Sequence, residues 1–242
     1  MKKILVLLMA GLMAMSVTAC KEDSGSGDTS GNSTTSSSTS DSDSKDSDKD
    51  SNESKSESSE NVTMNDVLNH PASPESDFKF SKDPEGNRGV ASYKGSDSIV
   101  VIPDSYEGAP VTTIKKYSFS NKEGEKAIKF SDSVVEIEEL ACAMNKSIEI
   151  VVFGANTKTI GEGAFLQASA LKEVKLNDGL EEIITQAFAS CHNLKSITIP
   201  ESVKTIEPDA FYAIEETIVI HGKAGSAAEE FAKTEGIQFV AE

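Results

Sequence analysis

Phe119, Cys142, Phe165, Phe188 and Phe211 each stand 23 residues from the next. A small residue precedes each of them: Ser118, Ala141, Ala164, Ala187 and Ala210. An isoleucine lies five residues upstream of each: Ile114, Ile137, Ile160, Ile183 and Ile206. A fixed period of this length is the mark of a solenoid. Each repeat is one coil, and it buries its apolar edge only by stacking on its neighbours.

Within a coil, the first apolar residues alternate with polar ones, as in Val174-Lys175-Leu176 and Ile197-Thr198-Ile199. That is the period of a strand with one buried face. After Pro200 the spacing changes to three and four, from Val203 to Ile206 to Ala210, so the chain has turned a corner. Stacked coils place the strands side by side as a parallel sheet, with the Ala-Phe segment as the opposite wall. The residues between buried positions then face outward: Ala127, Lys129 and Ser131; Ile150, Val152 and Gly154; Glu173, Lys175 and Asn177; Ser196, Thr198 and Pro200. Such a face is the usual binding surface of a repeat protein. The candidate binding residues on it are Lys129, Ile150, Val152, Glu173, Lys175 and Thr198. Ile150 and Val152 are expected to form an exposed apolar centre flanked by Lys129 and Lys175. The plainer reading of the two is strand propensity alone.

The first coil, Ile99 to Phe119, carries about five extra residues, Asp104 to Ala109, which must leave the stack as a loop. An end coil needs a cover. Phe78-Lys79-Phe80 and Gly89 to Tyr93 read as two strands around a turn-rich Asp83-Pro84-Glu85-Gly86-Asn87, and residues 75–97 are expected to be that N-terminal cap. At the other end, residues 217–242 read as strand, helix and strand. Ser226 and Glu229 have capping-box spacing, and Gly236 suits the helix exit.

The N-terminal 60 residues have a different chemistry. Lys2 and Lys3, an apolar run from Ile4 to Val17, and small residues up to Cys20 are the parts of a secretory signal. Val17-Thr18-Ala19-Cys20 resembles a bacterial lipobox. That resemblance implies cleavage before Cys20, lipid on its thiol and attachment to the outer face of the cell membrane, where several acyl chains give a stable anchor. Residues 1–19 are then the signal peptide. Residues 20–74 are expected to be a disordered tether, because 16 serines and eleven acids against four lysines in 21–60 bury too little to offset chain entropy. Val62, Met64, Val67 and Leu68 form at most a short amphipathic turn near its end. Asp46, Asp48, Asp50 and Glu57 match a calcium-loop spacing, but Ser51 stands where the sharp turn needs glycine, so no metal site is read there.

The formal net charge is -17, which repels phosphate backbones and excludes nucleic acid as a natural partner. Cys142 and Cys191 fall in different columns two coils apart, about 10 Å by coil spacing. They are read as buried thiols and not as a disulfide. His70, His192 and His221 have no reason to meet, and no phosphate loop or paired metal motif is present. Neither catalytic residues nor a cofactor are expected, and the protein is expected to be monomeric.

Leu171 to Phe188, and Cys191-His192-Asn193-Leu194-Lys195-Ser196-Ile197-Thr198-Ile199-Pro200, resemble the BspA-type leucine-rich repeat of bacterial surface proteins. The resemblance covers about residues 98–220 and five units, with Cys142 departing from the key column. It implies a leucine-rich-repeat solenoid over 98–216 between the two caps. It also implies a surface role in adhesion or in protein or glycan binding. A structural spacer of the envelope without its own ligand is the alternative. The family has no catalytic set to carry over.

Overall fold

The computed structural model describes residues 61–242. The chain runs through helix α1 (Met64–Asn69) and strands β1 (Phe78–Lys82), β2 (Arg88–Tyr93), β3 (Ile99–Val101), β4 (Ser105–Tyr106) and β5 (Ala109–Ile114). Then follow β6 (Ala127–Lys129), β7 (Glu136–Ile137), β8 (Ile150–Val152), β9 (Thr159–Ile160), β10 (Glu173–Lys175) and β11 (Glu182–Ile183). It ends with β12 (Ser196–Ile199), β13 (Thr205–Ile206), β14 (Val219–Gly222), α2 (Ala227–Glu235) and β15 (Gln238–Ala241).

Each coil contributes to two parallel sheets. The wide sheet holds the alternating segments, with β3, β6, β8 and β10 in one ladder and β12, β14 and β15 in another. Its strands keep the 23-residue register, so Ala127 pairs with Ile150 and Ile150 with Glu173. The isoleucine column forms a second, narrow sheet of mostly two-residue strands. Ile114, Ile137, Ile160, Ile183 and Ile206 lie side by side along β5, β7, β9, β11 and β13.

The third wall is a run of turns carrying the Phe column. The column residue's amide donates to the carbonyl of the small residue in the next coil: Phe119 to Ala141 at 2.8 Å, Cys142 to Ala164 at 2.7 Å, Phe165 to Ala187 at 2.8 Å and Phe188 to Ala210 at 2.8 Å. That close approach is why a small residue precedes every column position. The turns need left-handed backbone twice per coil, at Tyr117, Leu140, Gly163, Gln186 and Asp209 and again at Asn121, Met144, Gln167, Ser190 and Ala213. Only one of these ten is glycine. The hydrogen bonds between coils hold the others in a conformation costly for an L-residue.

The aromatic rings stack along the axis. Phe165 and Phe188 are 5.4 Å apart and 5° from parallel, and Phe188 and Phe211 are 5.6 Å apart at 13°. Both caps continue the stack, with Tyr93 on Phe119 and Phe231 on Phe211. Cys142 interrupts the column. There the aromatic path runs through the wide-sheet side, from Phe130 to Phe153 at 5.3 Å and from Phe153 to Phe165 at 5.9 Å. Phe130 and Phe153 occupy the coil position that Leu176 and Ile199 hold further on.

The N-terminal cap is the expected hairpin, and it extends the narrow sheet through β2 and β5. The insertion is not a free loop. It folds as a two-residue hairpin between β4 and β5, with left-handed Glu107 and Gly108 at the turn. Its Tyr106 stacks on Phe80 of the cap at 4.2 Å, and Glu107 pairs with Arg88 at 3.2 Å.

The C-terminal cap adds β14 and β15 parallel to β12 with α2 between, and Gly236 ends the helix at φ 74°. The expected capping box between Ser226 and Glu229 is not made. Glu229 Oε2 accepts from the Gly225 amide at 2.6 Å, while Ser226 makes no side-chain cap bond.

The tether boundary needs correction. Residues 61–74, expected to be part of a disordered segment, are folded onto the array. Cys20, the signal segment and the calcium-like spacing at Asp46 to Glu57 lie outside the described residues.

Candidate functional site

The wide sheet presents two rows of outward side chains. One row is Ile99, Ala127, Ile150 and Glu173, and the other is Val101, Lys129, Val152 and Lys175. The residues between them, Val100, Ile128, Val151 and Val174, belong to the main core. Past β10 the outward rows continue as Ser196, Val219 and Gln238, and as Thr198, His221 and Val240.

Ile150 and Val152 do not form an exposed apolar centre. They are only 3% and 4% exposed. With Ile99, Val101, Ala127 and Val67 they make a second core on the outer side of the sheet, closed by Val62, Met64 and Leu68. The cover is α1. Thr63 caps its N-terminus in a reciprocal box with Asp66, and Lys129 Nζ donates to the carbonyl of Leu68 at its C-terminal end, 2.8 Å away. A cation there suits the negative end of the helix. Ser73 then closes the sheet edge. Its amide donates to the Val101 carbonyl and its Oγ accepts from the Val101 amide, both at 3.0 Å. Thus Lys129 is half-buried and engaged within the chain. Two outward positions also fail: Ser131 and Gly154 are buried, and a Cβ on Gly154 would meet the Ser131 carbonyl oxygen at 1.9 Å.

Glu173, Lys175 and Thr198 are exposed, as expected. They flank a seam: β10 and β12 are neighbours in the stack, but no ladder joins them. Around them Ser196 and Gln238 are exposed, and His221 Nδ1 lies 3.1 Å from Glu242. The open half of the face is therefore a flat patch of donors and acceptors of both charge signs.

Lys175 differs from most lysines of the array. Most of the others meet carboxylates one coil away, or backbone carbonyls. Lys126 and Lys172 flank Glu149 at 2.9 and 2.5 Å, and Lys158 and Lys204 flank Glu181 at 3.0 and 2.7 Å. Lys115 pairs with Glu138 at 2.7 Å, and Lys116 with Glu139. Hydrogen bonds from Lys172 and then Lys126 hold the Glu149 carboxyl below the usual range, and Lys204 and then Lys158 do the same for Glu181. Sequence reading missed these ladders. Their signal was opposite charge at a spacing of 23. Within the repeat array, Lys146 and Lys175 alone among the described lysines have neither kind of partner.

Both array thiols are buried and unpaired. Burial pushes the Cys191 thiol up to about 12 and raises Cys142 further. Cys191 Sγ donates to the Phe165 carbonyl at 3.1 Å, and Asn145 Nδ2, at the same coil position two coils earlier, donates to that of Phe119 at 3.0 Å. The three histidines lie apart, at the exit of α1, at a coil corner and on β14. Among the described residues, no group of three or more His, Cys, Asp and Glu is placed to hold a metal, and no helix is long and apolar enough to cross a membrane.

The comparisons with known proteins agree with this architecture. The BspA type Leucine rich repeat region matches residues 97–217 in six copies. The Phe and Cys column gave five units over the same stretch. Among solved structures, a leucine-rich-repeat protein of T. pallidum is 22% identical, covering 62% of this chain and 71% of its own, with a TM-score of 0.60. A leucine-rich cell surface protein of Faecalibacterium prausnitzii is 24% identical over 67% of this chain and 37% of its own, at a TM-score of 0.44. The pneumococcal vaccine antigen PcpA is 20% identical over 64% of this chain and 50% of its own, also at 0.44. No curated protein matches. With the repeat profile spanning half its length and the 23-residue coil visible in both sheets, the chain belongs to the BspA-type leucine-rich-repeat family.

Proposed function

We propose that this protein is a lipid-anchored bacterial surface module that binds a protein or glycan ligand on the open half of its wide sheet, through Glu173, Lys175 and Thr198. The observation that carries the reading is Lys175. It stands exposed and without an acidic partner in an array where most lysines are satisfied one coil away. Polar side chains held on a rigid sheet and not spent on one another are what a binding face requires. The role is binding and not catalysis: the Cys191 thiol, beside His192, is engaged with a carbonyl and shielded from solvent. Anchoring rests on the lipobox-like Val17 to Cys20, and adhesion is the surface role that follows from an anchored binder.

The test is an array of host and bacterial surface proteins and glycans, probed with the full chain and with a Lys175→Glu, Thr198→Asp variant. A ligand lost by the variant supports the sheet face. A ligand kept by the variant places binding elsewhere, and no ligand at all favours the spacer reading. Cys20→Ala is expected to move the protein from the membrane fraction to the soluble one, and retention in the membrane would remove the lipid anchor.

A further inference from the structure

The other unpartnered lysine of the array, Lys146, lies on a different wall. The turn run carries a surface groove of about 500 Å³ lined by residues from four successive coils. Lys146, Ser169 and His192 form one side at 23-residue spacing, and Asn121, Met144 and Gln167 belong to the other. Among the described residues no carboxylate lines this groove, although the chain carries a net charge of -17. Lys195 Nζ, bonded to the His192 carbonyl at 2.6 Å, adds positive charge beside it. One coil further out at the same positions stand Glu123 and Glu215, so a positive centre is bounded by acid at both ends. Lys146 and His192 are two coils apart, about 10 Å by strand spacing, which limits the complementary part of a ligand to a short unit.

The lining also selects a ligand type. The backbone amides of Asn121, Met144 and Gln167 already donate to Ala143, Leu166 and Ala189 in the next coil at 3.1, 2.7 and 2.8 Å. An extended peptide therefore finds no free strand edge here, and recognition falls to side chains. Those side chains are the amides of Asn121 and Gln167, the hydroxyls of Ser169 and Ser190, the His192 imidazole and the exposed thioether of Met144. They match vicinal hydroxyls and the C–H face of a sugar ring. Lys146 supplies the one uncommitted charge.

We propose that this groove binds a short acidic saccharide, with its carboxylate on Lys146 and its hydroxyls on Gln167, Ser169 and Asn121. The site is separate from the sheet face and does not depend on it. The experiment titrates the full, ¹⁵N-labelled chain with trigalacturonic acid, with maltotriose as the neutral sugar and trialanine as a peptide carboxylate. Trigalacturonic acid is expected to shift the resonances of Met144, Lys146, Gln167 and Ser169, and to bind at least tenfold more tightly than either control. Lys146→Gln, an exposed substitution whose fold is checked by the unchanged remainder of the spectrum, is expected to weaken it about tenfold. Lys79→Gln, which removes an equal charge from the cap, is expected to leave it unchanged. Groove resonances that do not move up to millimolar trigalacturonic acid, equal binding of maltotriose or trialanine, or full affinity in Lys146→Gln would each overturn the proposal.

Discussion

The two halves of the wide sheet share the 23-residue coil spacing and differ first in what they point outward. Along β3, β6 and β8 the outward residues are Ile99, Val101, Ala127, Ile150 and Val152 with a single lysine, and a helix lies on them. Along β10, β12, β14 and β15 they are mostly polar, and none of the described residues covers them. The difference extends inward. The covered half contains the column's Cys142 and gains an outer core, while the open half relies on three stacked Phe rings and has a seam between β10 and β12. Solenoid stability is a sum of neighbour terms, so the two halves are expected to fail separately and for different reasons.

The largest expected effect is in the open half. Phe188 stacks on both Phe165 and Phe211 and is fully buried. Phe188→Ala is expected to cost about 3–5 kcal/mol, as for other buried aromatics, and to expose β10 and β12 to hydrogen exchange before β6 and β8. Uniform loss of protection across all four strands would show that the halves do not fail separately.

Next is the outer core. Ile150→Ser with Val152→Ser removes two buried side chains worth roughly 1.5–3 kcal/mol each when fully buried. The loss is expected to release α1 and leave the stack beneath intact. Amides of Met64 to Asn69 should exchange freely while those of β9 and β11 stay protected. Retained protection in α1 would mean that the Lys129 and Ser73 bonds hold the helix without the apolar contact.

This pair also shows how far sequence pattern reaches. The period told which residues face in and which face out, and the assignment of Ile150 and Val152 to the outward side was correct. What the period did not carry was the cover. α1 has only six residues, lies outside the repeats, and ends 30 residues before β3 and 81 before β8, the first and last strands it closes. No local periodicity announces such a contact. The apolar identity of Ile99, Val101, Ala127, Ile150 and Val152 together was the available signal, five neighbours on one patch where isolated exposure is ordinary. The exposure of Glu173, Lys175 and Thr198 was legible because no described residue outside the repeat alters it. The charge ladders were legible in principle, since Lys126, Glu149 and Lys172 repeat at 23, but a search confined to apolar columns passes over them.

The Cys142 position sharpens the comparison from the covered side. A missing ring suggests a gap that phenylalanine would fill. The structure instead has Phe130 and Phe153 carrying aromatic volume past this point, and Cys142 is fully buried. Cys142→Phe is therefore expected to overpack and to cost about 1–3 kcal/mol, seen as a lowered Tm. A raised Tm would show that the neighbouring coils have not closed around the thiol.

The smallest effect is electrostatic and tests whether the ladders bind the halves together. Glu149 reaches back to Lys126 in the covered half and forward to Lys172 at the start of the open one. Its carboxyl is held below the ordinary value of 4.5 in the folded chain by the Lys172 and Lys126 hydrogen bonds. A carboxyl lowered on folding contributes stability above its unfolded pKa, and that contribution is lost as pH falls through the folded one. Stability is thus expected to decline below pH about 4.5, with the Glu149 part worth about 0.2–1 kcal/mol, because both lysines are largely solvated. In Glu149→Gln that part should be absent, so the difference from the parent, measured by denaturant unfolding at low salt, should shrink towards zero as the medium is acidified. A difference that persists at pH 3 would assign the role of Glu149 to packing between coils, and the charge ladder would then carry none of the coupling between the two halves.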